Sequence, residues 1–344
     1  MKNDNRIAPS YYKNFVCKAA SCRNTCCSFW RIPISRKEYN TLVTMDCSKE
    51  LDDLLQRSFY TPHTFDEQAF RYISFDYLGH CPMQKDGLCL IHIEKGEDYL
   101  PSVCRLYPRS LKEVNGIKIA SCSCSCEKVL ELLYESERFC LEEVSVKEKS
   151  QFFSEIKEED LEEILQIEKY FERADLTLKE KIISLCRMVN TKKFTQDFES
   201  GDDPLKEVLS LLNVLTKEDS RLFDIVTLLN ERYQNKFDLY ENDCLLFEEA
   251  FPHHAAFFGR VLTNSLIYEL FPFTDPRMDK SQSYKGLCAV YGLMRFVSVG
   301  YFTKHQEKED LIDALSALFH LIDHSAFYFN VPLIVRHPAV FLKL

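Results

Sequence analysis

The 344-residue chain has only 9 glycines, 12 prolines and one tryptophan. So little glycine and proline excludes collagen-like and low-complexity disordered classes. No glycine-rich turn leads from a strand into a helix, and no alternating strand–helix rhythm is present. Both absences argue against a nucleotide-binding sheet of the Rossmann type. No run approaches the roughly 18 to 20 apolar residues of a membrane span. The opening MKNDNRIAPSYYKNF has no apolar stretch that could act as a secretory signal. Positive charge is in deficit: 43 Lys and Arg against 53 Asp and Glu leave a formal charge of −10. General nucleic-acid binding needs clustered cations and is not expected. With 46% hydrophobic and 28% charged residues, the composition is that of a soluble globular protein of one large or two ordinary domains. A cytoplasmic location with reduced thiols is expected.

Cysteine, by contrast, is abundant: fifteen residues, twelve of them between Cys17 and Cys140. In a reducing compartment such a cluster more often holds a metal than forms disulfides. Cys17, Cys22, Cys26 and Cys27 fall in CKAASCRNTCC. Cys81 precedes a proline, Cys89 follows, Cys104 stands in CRLYPR, and Cys122, Cys124 and Cys126 alternate in SCSCSC. Thiolates are soft anionic donors, and four in a tetrahedral array suit zinc or an iron–sulfur cluster. The spacings match neither the paired zinc-finger form nor a ferredoxin run. Cys-x3-Cys-x2-Cys is also absent, since Phe29 and Val129 stand three residues beyond Cys26 and Cys126. On a helix over 24–29, Cys27 would point about 100° away from Cys22 and Cys26. A regular helix there would not present both vicinal thiols to one metal. Cys47, Cys140, Cys186, Cys244 and Cys288 are isolated on helical patterns and read as buried free thiols. His80 and His92 flank cysteines and could complete or tune a site. His320 and His324, four apart, read as hydrogen-bonded core or interface residues rather than ligands.

The texture changes near residue 127. The first part, 1–127, is irregular, with turn signals at Asp86-Gly87 and Asn115-Gly116. A strand is predicted over Ala69–Tyr77 and a hairpin over Lys112–Ala120. Ser35 to Phe59 has helical spacing, with Ser35 as N-cap and Glu38 completing a capping box. In 128–344, segments such as KVLELLYESERF, DLEEILQIEKYFERA and LKEKIISLCRMV place apolar residues at helical spacing. Further helices are predicted within 204–233, over 243–271 with a break at Pro252, over 281–301 and over 308–330, and a loop near 190–204. The expected fold is mainly α: an irregular, cysteine-rich, metal-stapled N-terminal domain with a small hairpin (1–127) and a C-terminal helical domain (128–344).

FVCKAASCRNTCCSFWRIPI, CPMQKDGLCLIH and GEDYLPSVCRLYPR together resemble the flagellin lysine-N-methylase family. The ordered pattern is Cys-x4-Cys-x3-Cys-Cys-x2-Trp, then Cys-Pro with a second cysteine eight residues beyond the first, then Cys-x2-Tyr-Pro-Arg. A Ser-Cys opening a helix follows, matched by Ser125-Cys126. The likeness continues in YELFPF and the late helical segment through His324. The resemblance implies an S-adenosylmethionine-dependent methyltransferase acting on lysine side chains of flagellin. It also implies a cysteine-ligated iron–sulfur cluster, of the 4Fe-4S kind, with zinc as the alternative. The matching cysteines are Cys17, Cys22, Cys26, Cys27, Cys81, Cys89, Cys104 and Cys126, more than one cluster needs. Cys122 and Cys124 are additions to the pattern. The competing reading is a non-catalytic cysteine-rich zinc- or iron-binding protein: a redox sensor, chaperone or metal-handling module.

Methyl transfer to lysine needs a neutral amine. With a pKa near 10.4, only about one lysine in 2,500 is neutral at pH 7. An enzyme must remove the proton or desolvate the ammonium, then align nitrogen, methyl and sulfonium. Aromatic faces stabilise such cations. The second half offers Phe257, Phe258, Tyr268, Phe271, Phe273, Tyr284, Tyr291, Tyr301, Phe327 and Tyr328, which equally make an ordinary aromatic core. A neutral amine does not need radical chemistry, so a polar displacement is expected, with any cluster serving structure or cofactor placement. Tyr107 and Arg109 follow Cys104 and could support the ligands. Arg109 could instead bind a carboxylate, such as the methionine end of the cofactor. No general base stands out. Flagellin is the expected partner, without nucleic acid or membrane.

Overall fold

The computed structural model describes residues 4–64, 66–146, 152–154, 158–185, 202–217, 220–234, 236–273 and 277–344. The chain divides into two compact units, Cys17–Tyr107 and Met1–Val16 with Pro108–Leu344. The larger unit opens on β1 (Asp4–Pro9), and the smaller is inserted after it. The insert holds β2 (Pro33–Ile34), α1 (Arg36–Thr44), α2 (Lys49–Arg57), β3 (Phe59–Tyr60) and β4 (Arg71–Ile73). It continues with β5 (Gln84–Lys85), β6 (Leu88–Cys89), α3 (Leu90–Lys95) and α4 (Ser102–Leu106). β2, β4 and β3 form a small antiparallel sheet, so the strand expected over Ala69–Tyr77 is confined to its middle. The helical stretch from Ser35 is two helices, because Ser48 starts the second by accepting from the Leu51 amide. The core is Ile32, Ile34, Leu42, Leu51, Leu55, Ile73, Met83, Leu90 and Ile91, with Cys81 among them.

The capping box read from Ser35 and Glu38 is present: the Ser35 hydroxyl accepts from Glu38 N, and Ser35 N donates to Glu38 Oε2 at 2.8 Å. Glu38 also accepts from Ser102 N at 2.7 Å, tying α1 to α4. Burial opposes its ionisation, but the bonds from Ser35 and Ser102 prevail and hold its pKa below the usual value. Their contribution is therefore present above the ordinary carboxylate pKa and lost as the pH falls through the depressed one. Ser35→Ala should cost about 1 kcal/mol, read from the urea midpoint.

The larger unit resumes with β7 (Arg109–Val114) and β8 (Ile117–Cys122). This is the expected hairpin; Asn115 and Gly116 both take positive φ, 49° and 79°, as a two-residue primed turn requires. α5 (Glu127–Glu135), β9 (Leu141–Val146) and β10 (Phe152–Ser154) follow. The five strands order as β10-β7-β8-β1-β9, with β1 parallel to β8 and antiparallel to β9. Then come α6 (Glu158–Phe171), α7 (178–185), α8 (Pro204–Leu215), α9 (Phe223–Tyr233), α10 (Phe237–Ala250), α11 (His254–Glu269), α12 (Lys280–Phe302), α13 (Lys308–Asp323) and α14 (Phe327–Ile334). The interruption at Pro252 falls between α10 and α11 as expected. Cys186 and the expected loop up to residue 201 lie outside the described residues.

The mainly α expectation holds, at 57% helix and 12% strand. The expected domain break at residue 127 falls inside the larger unit. The physical reason is the bonding of residues 122–125 to the helices: Asn264 Nδ2 donates to Cys122 O at 2.9 Å, and Ser316 Oγ to Ser125 O at 2.7 Å. α12 is the central helix, buried on nearly every side. A Cβ on Gly292 would stand 2.9 Å from the carbonyl oxygen of Phe341 and 2.7 Å from its Cβ. Because backbone cannot yield as a side-chain tip can, Gly292→Ala should destabilise by about 1–3 kcal/mol, seen as a lower thermal midpoint.

Candidate functional site

In the smaller unit the backbone around Cys26 and Cys27 is irregular, not helical. The two vicinal thiols nevertheless touch each other. Cys27 is tied through its carbonyl to Cys81 N at 2.8 Å and packs on the insert's core with Cys89 and Cys104. Cys81 and Cys89 stand at either end of the small hairpin that turns at Asp86-Gly87, both with positive φ. Cys104 lies on α4. These four thiols interact: burial raises the pKa of each of Cys81, Cys89 and Cys104, and the charge of Cys27 raises it further. Cys81 is pushed up to about 12. Main-chain N–H groups of Met83 on Cys81, and of Ile91 and His92 on Cys89, pull the other way. His92 thus helps through its backbone, while the His80 ring stands edge-on to Phe29.

The remaining matched cysteines are placed differently. Cys26 is raised first by its thiol contact with Cys27 and by burial; Cys104 and Cys17 are also within its electrostatic reach. Trp30 Nε1 donates to Cys26 O at 2.6 Å and packs on Tyr107. Cys17 is exposed and Cys22 half-buried. Cys126 belongs to the larger unit, where it caps α5 and is buried in company with Cys122 and Cys124. Among the described residues no group of three or more His, Cys, Asp or Glu is already arranged to hold a metal ion. Of the isolated cysteines, Cys288 is buried on α12 and Cys244 half-buried on α10. Cys47 and Cys140 are half-buried but lie outside helices.

The larger unit holds a second polar constellation, absent from the sequence reading. Asp323 ends α13, and its Oδ2 accepts from Ser123 Oγ at 2.5 Å. Ser123 Oγ also meets Ser125 Oγ at 2.6 Å, which meets His324 Nε2 at 2.8 Å. Tyr11 Oη donates to Asn264 Oδ1 at 2.5 Å, and Asn264 Nδ2 reaches Cys124 Sγ at 3.1 Å. Lys112 projects from β7, donates to the carbonyl of Tyr268 and holds its ammonium 5.0 Å from that ring's centroid. Glu269 ends α11 beside it. Lys112, Tyr268, Glu269, Asp323 and His324 are each half-buried, so part of this group, here called the recess, reaches the surface although Asp323 Oδ1 itself is buried.

The charges in the recess perturb one another. Burial, with the charge of Glu269, pushes Asp323 up to about 8, against the Ser123 hydroxyl and the amides of Cys124 and Ser125. Burial raises Glu269 while Lys112 draws it back. Burial lowers Lys112, which Glu269 and Asp323 oppose. Burial, with Arg221, lowers His324 to about 4. His324 is therefore neutral at pH 7 and bonded to Ser125, matching its expected structural role; its ring lies 5.1 Å from that of His320. The signals that could have pointed here were a lysine paired with Ile119 on a core strand and carboxylates closing two apolar helices.

Arg109 lines a separate cleft of about 360 Å³ with Tyr12, Phe15 and Glu143. Its guanidinium lies over the rings of Phe15 and Tyr12, at 4.8 and 5.9 Å. The Cys122 thiol is within electrostatic reach of both Arg109 and Tyr268.

Residues 126–331 match the family model described as the FliB lysine N-methylase C-terminal domain. The class this defines is a lysine N-methyltransferase. The match spans more than half of the chain, which belongs to the FliB lysine N-methylase family. The comparisons with curated proteins and with solved structures return no match. The carboxylates and tyrosines of the recess lie within the matched segment; Lys112 precedes it.

Proposed function

We propose that this protein transfers methyl groups from S-adenosylmethionine to lysine side chains of flagellin. The family match over residues 126–331 carries this reading. The recess inside that segment supports it, because carboxylates and aromatic faces are the groups that receive an ammonium. The Arg109 cleft is near the lower size limit of small-molecule sites. It offers a guanidinium for a carboxylate, aromatic faces for a cation and Glu143 for a hydroxyl or amine. Bound there, the cofactor would supply an electrophilic methyl on a sulfonium. Arg109→Ala should raise KM for the cofactor about tenfold, the effect of a lost charged hydrogen bond of about 1.4 kcal/mol, and leave KM for flagellin unchanged.

Cys27, Cys81, Cys89 and Cys104 fit an iron–sulfur cluster by donor chemistry: four coupled thiols, two with N–H donors aimed at sulfur. A cluster or a zinc ion would offset the burial and mutual repulsion that raise the pKa values of Cys81, Cys89 and Cys104. The cluster's part in the reading is structural, and the methyl transfer is a polar displacement. The test is labelled methyl transfer from the cofactor to purified flagellin. Label should appear on lysine without any reductant. Strict dependence on a strong reductant would overturn the polar mechanism; no label under either condition would leave a metal-holding protein without catalysis.

A further inference from the structure

Among the described residues the recess holds more hydrogen-bond acceptors than the Lys112 ammonium uses. Lys112 already donates to the Tyr268 carbonyl. Asp323 Oδ1 is buried and makes no hydrogen bond of ordinary geometry, although the amides of Cys124 and Ser125 stand near the carboxylate. Tyr328 Oη has Ser265 beside it, yet makes no hydrogen bond of ordinary geometry. Among the described residues the carboxylates of Glu269 and Asp323 share the Lys112 ammonium, with Arg221 nearer His324, so with both ionised Lys112 balances only one of them. A buried acceptor without a donor is costly, and native structures retain such a group chiefly where a ligand or proton completes it. Lys112 shows which ligand chemistry the walls accept: a primary alkylammonium lying against a tyrosine face.

We propose that this recess receives the acceptor lysine, with Glu269 holding its ammonium by charge and Asp323 removing its proton. The inference rests on the lysine-methylation reading and adds the residues that carry the acceptor step. The ammonium proton passes to the Asp323 carboxylate. The freed nitrogen lone pair then forms the N–C bond to the sulfonium methyl. The C–S bond breaks with its electron pair going to sulfur, which leaves as a neutral thioether. Ser123, bonded to Oδ2, positions Asp323 with Oδ1 as the basic atom. Lys112 stays against Tyr268, and its positive charge favours the neutral form of the incoming amine.

Asp323 is faced by Lys112 from β7, Cys124 beyond β8, Tyr268 and Glu269 from α11, Tyr328 from α14 and its neighbour His324. The test uses the full chain and two flagellin-derived peptides, one with lysine and one with thialysine, whose amine is the weaker base. With wild type, kcat should rise through about pH 8 for both, because the enzyme's carboxylate and not the substrate sets the profile. Asp323→Asn, which still accepts from Ser123, should lower kcat on lysine about 100-fold or more with KM little changed. It should lose the pH 8 limb and recover about tenfold on thialysine. Glu269→Gln should instead raise KM for the peptide. If the wild-type profile moves with the basicity of the substrate amine, or both variants stay within about threefold of wild type, the assignment is overturned. A wild type that methylates no lysine sinks the functional reading instead, which separates the two failures. An Asp323→Asn protein that does not fold leaves the wild-type comparison of the two peptides to decide.

Discussion

On the proposal that Cys27, Cys81, Cys89 and Cys104 hold a metal centre, protein carrying Cys81→Ser or Cys104→Ser should contain less than about a tenth of the wild-type iron or zinc. Each thiol is one of four that converge from separate elements: Cys27 on an irregular segment, Cys81 and Cys89 flanking a hairpin, Cys104 on α4. Burial and the neighbouring sulfurs keep Cys81 and Cys104 protonated at neutral pH, so a metal must expel protons to bind. Retention should therefore weaken as the pH is lowered. A structural thiolate site contributes on the order of 10 kcal/mol, and the smaller unit should show faster amide exchange once the metal is gone. Cys47→Ser is the control: it packs near the same core, yet its electrostatic neighbours are Glu94, Asp52, Lys95 and Asp46, not thiols. Metal and sulfide analysis, with the visible spectrum, reads the outcome. Full metal content in Cys81→Ser and Cys104→Ser would remove the tetrad from the account.

Asp243→Ala should strongly destabilise the larger unit. Asp243 is 3% exposed. Its carboxylate accepts from Arg232 twice, at 2.7 and 2.8 Å, and from Tyr233 Oη at 2.6 Å. Alanine would leave a guanidinium and a buried phenol without their acceptor. Breaking a buried pair in this way costs about 3–5 kcal/mol; the Arg232 side chain is 33% exposed, so the lower figure is expected. In a unit of this size about 3 kcal/mol lowers the thermal midpoint by roughly 6–12 °C. Asp243→Asn keeps one acceptor oxygen and should lose less. Neither change touches the recess, so methylation measured well below the midpoint should be nearly normal. A shift under about 2 °C would mean that water replaces the carboxylate at little cost.

Local features were legible where neighbouring residues alone decide the backbone. The capping box at Ser35 and Glu38, the turns at Asp86-Gly87 and Asn115-Gly116, and the break at Pro252 depend on side chains within a few positions. β1 and β9 were not legible, because β9 gains its hydrogen bonds from β1, and β1 from β9 and β8, all distant in sequence. The boundary placed at residue 127 followed cysteine density. The chain follows hydrogen bonding, which draws residues 108–126 onto the helices.

The amino-acid order by itself determined the family, the mainly helical build and a thiol set suited to a soft metal, since all three rest on residue type and spacing. Tertiary structure decided which thiols meet. It gathered Cys27, Cys81, Cys89 and Cys104, with Cys26 touching Cys27, and it put Cys126 in a different unit from the other seven. It alone joined Lys112, Glu269 and Asp323, residues more than 150 and 50 positions apart, whose chemistry depends on mutual charge and burial. Those are properties of position in space that no spacing along the chain encodes.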